Sequence, residues 1–410
     1  MVFSWHLCQE RIKHSGVTGR AFLSTTAPGA VRNQGIRMRA LCNREALLTA
    51  FGMVSGVVPI RSPKPILQNV KLIAEAEEGS VLMGTDLEVG IRHRVLGVKV
   101  EQPGSVILPT AQIGSILRTG TDSELTIETN DERLIVRGQH SEFTLPVEDA
   151  NLFPEVPDFA AISYHVVNAA DLKKLIRRTI FATDVESTRY ALGGVLVELT
   201  AESIAMIGTD GRRLARMSAS ADVENNPPAP TGFPVIPVKA LKLIERNLAD
   251  DDPPVHLTIQ SGTAVLMRTE SAVIYSRLVE GRFPRYQDVF PTNVEVKIPL
   301  EAGSLRMAVE QASIVTSEES RGVDFQFSAG VLRLISQSAD VGSSHVELPI
   351  AYDGKAVEIT FDPRYLVDAL KTLDDTTAIT AELIDSKNAA VFKTDDRYTY
   401  VVMPLTRERS

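Results

Sequence analysis

The tripeptide Gly-Thr-Asp occurs at Gly84-Thr85-Asp86 and again at Gly208-Thr209-Asp210, 124 positions later. Each copy follows an apolar run, "SVLM" in one case and "SIAMI" in the other. Each is followed by a short strand, a proline and a helical pattern, "SVILPTAQIGSIL" (105–117) and "FPVIPVKALKLI" (233–244). A Phe-Pro pair comes next, Phe153-Pro154 and then Phe283-Pro284, 130 positions on. One tripeptide recurs easily by chance, but four ordered landmarks at nearly one offset mark an internal repeat, which fixes the architecture before any local reading. A third copy is fainter. "GSLRMAVEQASIV" (303–315) matches "ADLKKLIRRTIFAT" (170–183), and "VEITFDPRYLVDALKTL" (357–373) repeats the strand-proline-helix element. The Gly-Thr-Asp turn has there become "SQSADVG". The chain therefore reads as three tandem domains, 38–160, 161–292 and 293–410.

Within each unit a helix is followed by short alternating strands, a second helix and more strands. "VEVKIPL", "VLRLISQS" and "YTYVVMPL" have the period or length of strands. Leu172, Leu175, Ile176 and Ile180 have helical spacing. Helices segregated from antiparallel strands predict an α+β fold, with two helices packed on the sheet of each unit.

A chain of 410 residues is too long for one ordinary core. No apolar run approaches the roughly 20 residues of a membrane span, so no membrane partner is expected. Cys8 and Cys42 are too few for a disulfide framework or a usual zinc site, and they fit a reducing, cytoplasmic setting. Residues 1–37 hold five bases against one acid, Glu10, with no apolar segment of a secretory signal. They read as a disordered or non-native extension, or as a segment resembling a transit peptide.

"MIGTDGRRLARM" (206–217) invites a catalytic reading, with Thr209, Asp210 and Arg213 as a trio or a phosphate cradle. None of the seven histidines lies in a nucleophile or metal motif, and no GxxxxGK[ST], HExxH or GxSxG string is present. No catalytic group, metal or cofactor is therefore expected. Asp210-Gly211 reads more simply as a tight turn. The first Gly-Thr-Asp lacks the following glycine and arginines, so the second copy has acquired a task of its own.

The net charge is −9, yet the six predicted helices (43–54, 110–119, 171–182, 239–248, 304–315 and 363–373) carry twelve bases against five acids. Helices that bury one stripe present their charges on the other face. Lys173, Lys174, Arg177, Arg178, Lys239, Lys242 and Arg246 are the densest group. A shared basic surface of this kind contacts phosphates without reading bases.

Taken together, "GTDLEVGIRHRV" (84–95), "RYALGGVLVEL" (189–199), "IGTDGRRLA" (207–215), "LVEGRFPRYQDVFP" (278–291) and "YVVMPL" (400–405) resemble the bacterial sliding clamp, the beta subunit of DNA polymerase III. The resemblance covers about residues 38–410. It implies three clamp domains per chain, and two chains closing head to tail into a ring around duplex DNA. It implies a non-catalytic function: tethering the replicative polymerase, with the clamp loader and repair polymerases binding through short linear peptides. A ring holds DNA by topology, so weak, sequence-blind contacts suffice. The implied peptide pocket is Arg189, Leu192, Thr209, Gly211, Arg212, Arg213, Leu214, Pro284, Val289, Val401, Met403, Pro404 and Leu405, an apolar cleft with arginines at its rim. Arg61 and Tyr190 match DNA-touching positions. Phe143 and Leu145 match one edge of the dimer interface, and Ile314 and Val315 its partner helix. Ala191, Arg212, Lys387 and the tail "TRERS" (406–410) depart from the family pattern, which affects the peptide preference. Two other classes remain open to the residues alone: an enzyme using Asp86 or Asp210 as acid or base, and a protein scaffold that no longer encircles DNA.

Overall fold

The computed structural model describes residues 37–405 apart from 78, 131, 188–190, 229–231, 292 and 318–320. The predicted extension therefore lies outside the described residues, except for Arg37. The described residues contain six α-helices: α1 (Arg44–Ser55), α2 (Thr110–Thr119), α3 (Ala169–Ile180), α4 (Val238–Arg246), α5 (Ala302–Ala312) and α6 (Pro363–Leu370). Local chemistry sets their starts. The Asn43 and Asn168 side chains accept the Ala46 and Asp171 N–H groups, and the Asp362 side chain accepts that of Arg364. Each satisfies an orphan donor of the first turn. The second helix of each repeat begins at a proline, with Pro109 and Pro237 just before it and Pro363 as its first residue. A fixed φ and a missing N–H cost nothing there.

The repeated glycines have a packing reason. A Cβ on Gly84 would sit 2.8 Å from Val54 Cγ1, and one on Gly208 only 2.1 Å from the Thr179 carbonyl oxygen. Each Gly therefore lets the first helix of its repeat lie directly on a strand. In α3 the buried stripe is Leu172, Leu175, Ile176 and Thr179, the 3.6-residue spacing of a helix facing a sheet.

The strands depart from the expectation of one sheet per unit. Every pairing among the described residues is antiparallel, but each repeat divides its strands between two sheets, and sheets run across the domain borders. A nine-strand sheet joins the first and second repeats where Val89–Val95 pairs with Ala272–Arg277, Ile91 opposite Ile274. An eight-strand sheet joins the second and third where Arg213–Ser220 pairs with Tyr398–Val402, Ala215 opposite Tyr400. Both joints match a strand that follows the turn of one repeat with the last strand of the next.

The third such pair is not made among the described residues. Glu142–Pro146, the last strand of the first repeat, ends a five-strand sheet, and Gly342–Pro349 ends a four-strand sheet of the third. Two further expectations are corrected. Ile314 and Val315 lie on a 3-10 turn, Ser313–Val315, that tightens the chain after α5 instead of within a helix. The last helix stops at Leu370, three residues short of the predicted end.

Three of the four described histidines on strands are packed against neighbours. His93 and His165 are buried, and His256 stacks on Tyr164 with ring centroids 4.5 Å apart. Burial holds all three below the ordinary value of 6.5, and Arg268 adds to the effect at His256. The unfolded chain therefore takes up protons first as pH falls. Their stabilisation is complete above the unfolded value and is lost as pH drops through it toward the folded values. The melting temperature should fall between about pH 7.5 and 5.5, and His165→Gln with His256→Gln should flatten that slope. An unchanged slope in the double variant would assign the effect to other groups.

Candidate functional site

The two Gly-Thr-Asp copies fold into the same turn. In the first, the Thr85 hydroxyl accepts the Leu87 N–H at 2.9 Å and donates to the Val89 carbonyl. Asp86 Oδ1 accepts the N–H groups of Glu88 and Val89. In the second, the Thr209 hydroxyl accepts the Gly211 N–H at 3.1 Å and donates to the Arg213 carbonyl at 2.6 Å. Asp210 Oδ1 accepts the N–H groups of Arg212 and Arg213. The residue after the Asp has positive φ in both copies, +86° at Gly211 and +82° at Leu87. Glycine takes that conformation without strain and leucine does not. These hydroxyls and carboxylates hold the backbone, which leaves them no role as acid or base.

The remaining carboxylate oxygens stitch the repeats together. Asp86 Oδ2 takes the Lys239 ammonium from α4, which also donates to the Val57 carbonyl. Asp210 Oδ2 takes Arg213 Nε at 3.0 Å. Arg213 then reaches Asp368 of α6 at 2.7 Å and the Phe181 carbonyl at 2.9 Å, with its guanidinium 4.8 Å from the Tyr365 ring. Its side chain is only 10% exposed. This corrects the expectation of Arg213 as a rim residue: each of its guanidinium nitrogens donates within a clasp of the second repeat to the third. Arg212 points outward and donates to the Tyr365 hydroxyl at 3.3 Å.

Beside this clasp lies an apolar cluster separate from the main core. Leu192, Leu196, Leu214, Phe283 and Tyr286 of the second repeat pack with Val391 and Val401 of the third. Leu192, Leu214 and Val401 are buried and form a floor. Val289 and Met403 are exposed, and Pro284 half-buried, so they stand at the surface. The Met403 N–H donates to the Arg212 carbonyl at 2.9 Å, which fixes the chain end across the turn. The junction thus brings Leu192, Leu214 and Val401 together beside the Thr209–Arg213 turn, while the Leu405 N–H bonds the Thr360 carbonyl. Arg189 and Tyr190 lie outside the described residues. The sequence reading missed Tyr286, whose hydroxyl donates to Glu198 at 2.8 Å, and Tyr365 and Asp368. Asp368 is 155 positions from Arg213, so no local pattern links them.

The basic residues divide. Lys174, Arg177, Lys242 and Arg246 are exposed on α3 and α4, and Arg61 on a loop. Lys173 pairs with Asp250 at 2.7 Å and Arg177 with Glu245 at 2.6 Å. Arg178 is a correction. It is buried at the margin of the α3 stripe and paired with Asp396 at 2.6 Å, so it cannot meet a phosphate. Burial alone would raise the Asp396 carboxyl, but the Thr394 hydroxyl and Arg178 hold it below its ordinary value. At the unpaired edges, Phe143 is 40% and Ile314 74% exposed, while Leu145 and Val315 are half-buried.

Family models for the DNA polymerase III beta subunit match three consecutive stretches: the N-terminal domain over 38–157, the central domain over 166–285 and the C-terminal domain over 287–406. The beta sliding clamp of Pseudomonas putida is 31% identical over 371 residues, covering 90% of this chain and all of that protein. The Escherichia coli K12 beta sliding clamp is 29% identical over 380 residues, with the same coverage. A crystal structure of the DNA polymerase III beta subunit from Pseudomonas aeruginosa superposes with a TM-score of 0.81 at 29% identity, covering 90% of this chain and 100% of that one. A Bacillus subtilis sliding clamp does so with a TM-score of 0.83 at 25% identity and the same coverage.

The two neighbouring arginines should behave differently. Arg213→Ala removes the donor to Asp210 Oδ2, Asp368 and a carbonyl and should cost about 1–3 kcal/mol in urea unfolding. Arg212→Ala should stay within about 0.5 kcal/mol of the parent. Equal losses would contradict the clasp.

Proposed function

Because the chain belongs to the DNA polymerase III beta subunit family and is a DNA sliding clamp of replication, a non-catalytic processivity factor that works with DNA and a polymerase, we propose that two copies close head to tail into a ring. The observation that carries this is the pair of unmatched strands. Glu142–Pro146 is the counterpart of Ala272–Arg277 and Tyr398–Val402, and Gly342–Pro349 that of Val89–Val95 and Arg213–Ser220. Both counterpart pairs are joined within the chain. Joining the remaining two takes a second copy, and a head-to-tail contact of unlike patches closes only when the rotation does. Phe143, Leu145, Ile314 and Val315 lie at those edges and supply apolar surface for the seam.

Duplex DNA passes through the ring without sequence readout. Lys174, Arg177, Lys242 and Arg246 face it, with Arg61 at the ring face, while Lys173 and Lys239 serve through their ion pairs. Partial neutralisation by Asp250 and Glu245 keeps this attraction weak, as sliding requires. The replicative polymerase, the clamp loader and repair polymerases dock short linear peptides on the apolar junction of the second and third domains. Val289, Met403 and Pro284 are the first residues met, and Leu192, Leu214 and Val401 are the floor below. Met is suited to varied ligands. No helix among the described residues is long and apolar enough to cross a membrane, and a cytoplasmic site of action follows from the role on DNA. The three domains follow the borders 38–160, 161–292 and 293–410.

Three measurements test this reading. The loaded protein should stay on nicked circular DNA and leave once the circle is linearised; equal retention on both forms would refute the ring. Lys174→Glu, Lys242→Glu and Arg246→Glu together should weaken loading with no change in melting temperature, and loading equal to the parent's would refute the basic face. A bound partner peptide should crosslink near Met403 and Val289; crosslinks centred on Thr85 would put the docking site elsewhere.

A further inference from the structure

The two joints inside the chain fix how the two unmatched edges meet. A Cβ on Gly84 would press on Val54 and one on Gly208 on the Thr179 carbonyl, while the Ser336 hydroxyl donates to the Ala312 carbonyl at 2.7 Å. Val54, Thr179 and Ala312 stand equally far from their helix caps Asn43, Asn168 and Glu301, so Gly84, Gly208 and Ser336 are counterparts. The residues opposite them on the next strand are Ile91, Ala215 and Ser344. The first two meet Ile274 and Tyr400 across the joints. The last strands align in the same way. From His165, Ile298 and Ala40, each placed alike before its cap, the ladders lead to Ile274, Tyr400 and Phe143 respectively. Ser344 therefore belongs opposite Phe143 of the partner subunit. The joints also show how far the ladder runs. The Arg94 N–H donates to the Ser271 carbonyl at 2.8 Å and the Ser218 N–H to the Arg397 carbonyl at 3.4 Å. At the seam those positions are held by Glu347 and His140.

Resting on the two-copy ring proposed above, we propose that this register sets two histidine–glutamate pairs across each seam, so that protonation tightens the ring: His345 stands opposite Glu142 of the partner subunit, and Glu347 opposite His140 of the partner subunit. Ser344 turns toward the helices, where its hydroxyl donates to the Ala312 carbonyl at 2.9 Å. Side chains alternate along a strand, so His345 and Glu347 lie on the outer face with Glu142. All three are more than half exposed. Each carboxylate already has a partner in its own sheet: Arg137 donates to Glu142 at 2.8 Å, and Arg333 to Glu347 at 2.8 Å. His345 Nε2 lies 3.4 Å from Glu347. Arg333 and His345 hold the Glu347 carboxyl below its ordinary value. Around His140, Ser141 donates to Asp122, and Glu124 lines the same cleft. These contacts are the same in one chain and in two, so only the pairs across the seam link protonation to association. A carboxylate accepts several hydrogen bonds, so each keeps its arginine and takes an imidazole as well. With neutral imidazoles, Glu347 lies diagonal to Glu142 of the partner subunit, and like charges oppose the pairing. A charged His345 between them reverses the sign. The far end of the seam is the weaker one. The Arg277 and Met403 N–H groups donate there at the two joints, but their counterpart is Pro146, which has no N–H.

Sedimentation of the labelled full-length protein at nanomolar concentration reads the effect. The dissociation constant of the two-chain species should fall about tenfold between about pH 7.5 and 5.5. Combining His140→Gln with His345→Gln should remove that fall and keep the value at the upper pH. Folding stability changes in the opposite direction over this range, so it cannot produce the tightening. Oxidative crosslinking tests the register. Thr144→Cys with Ser343→Cys places two thiols directly opposite, within disulfide reach, whereas Thr144→Cys with Val341→Cys is two positions out of step and beyond it. The first pair should crosslink between chains and the second should not. A two-chain parent whose dissociation constant stays level or rises in acid overturns the pairing while leaving the ring in place. So does a fall that survives in the double histidine variant, or crosslinking of the out-of-step pair. A parent of one chain at both pH values overturns the ring and the pairing together.

Discussion

A strand at the rim of a sheet exposes N–H and C=O groups that pair with whatever strand comes near. In this chain that demand decides the architecture. The strand after the turn of one repeat is completed by the last strand of the next, which turns separate domains into continuous sheets. Hydrogen bonds between antiparallel neighbours fix the register, and both joints use the same pair of strand positions. Three repeats carry three such strand pairs, and two of them are joined among the described residues.

Polar contacts then lock what the sheets align. At the first joint Lys239 bonds Asp86, and at the second Arg213 bridges Asp210 to Asp368. The same turn thus holds its own backbone and reaches the next repeat. That double use accounts for the persistence of Thr and Asp in both copies, whereas only the second copy sits beside the apolar cluster that includes Leu214 and Val401. The task acquired by the second copy lies in its neighbours and not in the turn itself.

Much of this was legible in the sequence. The offset between the Gly-Thr-Asp copies and the proline at the start of each second helix gave the repeats, and apolar spacing gave the helices to within a few residues. The apolar members of the site, such as Leu192 and Met403, came from a family resemblance and not from pattern. Side-chain fate was less legible. Arg177 and Arg178 are adjacent in sequence, yet 100° of helical rotation leaves one in solvent and puts the other against Asp396. The purpose of Arg213 depended on Asp368 and Tyr365, which only the tertiary fold brings near. Alternating strands also say nothing of which sheet they join, so the crossing of domain borders had no signal in the sequence.

The central claim is that the unmatched edges, Glu142–Pro146 and Gly342–Pro349, are two halves of one joint shared between copies. Sedimentation equilibrium of the purified protein at micromolar concentration measures this most directly. The account predicts a mass of two chains, returning to that of one when Ile314→Ala and Val315→Ala are combined. A parent protein that sediments as a single chain at that concentration would contradict it.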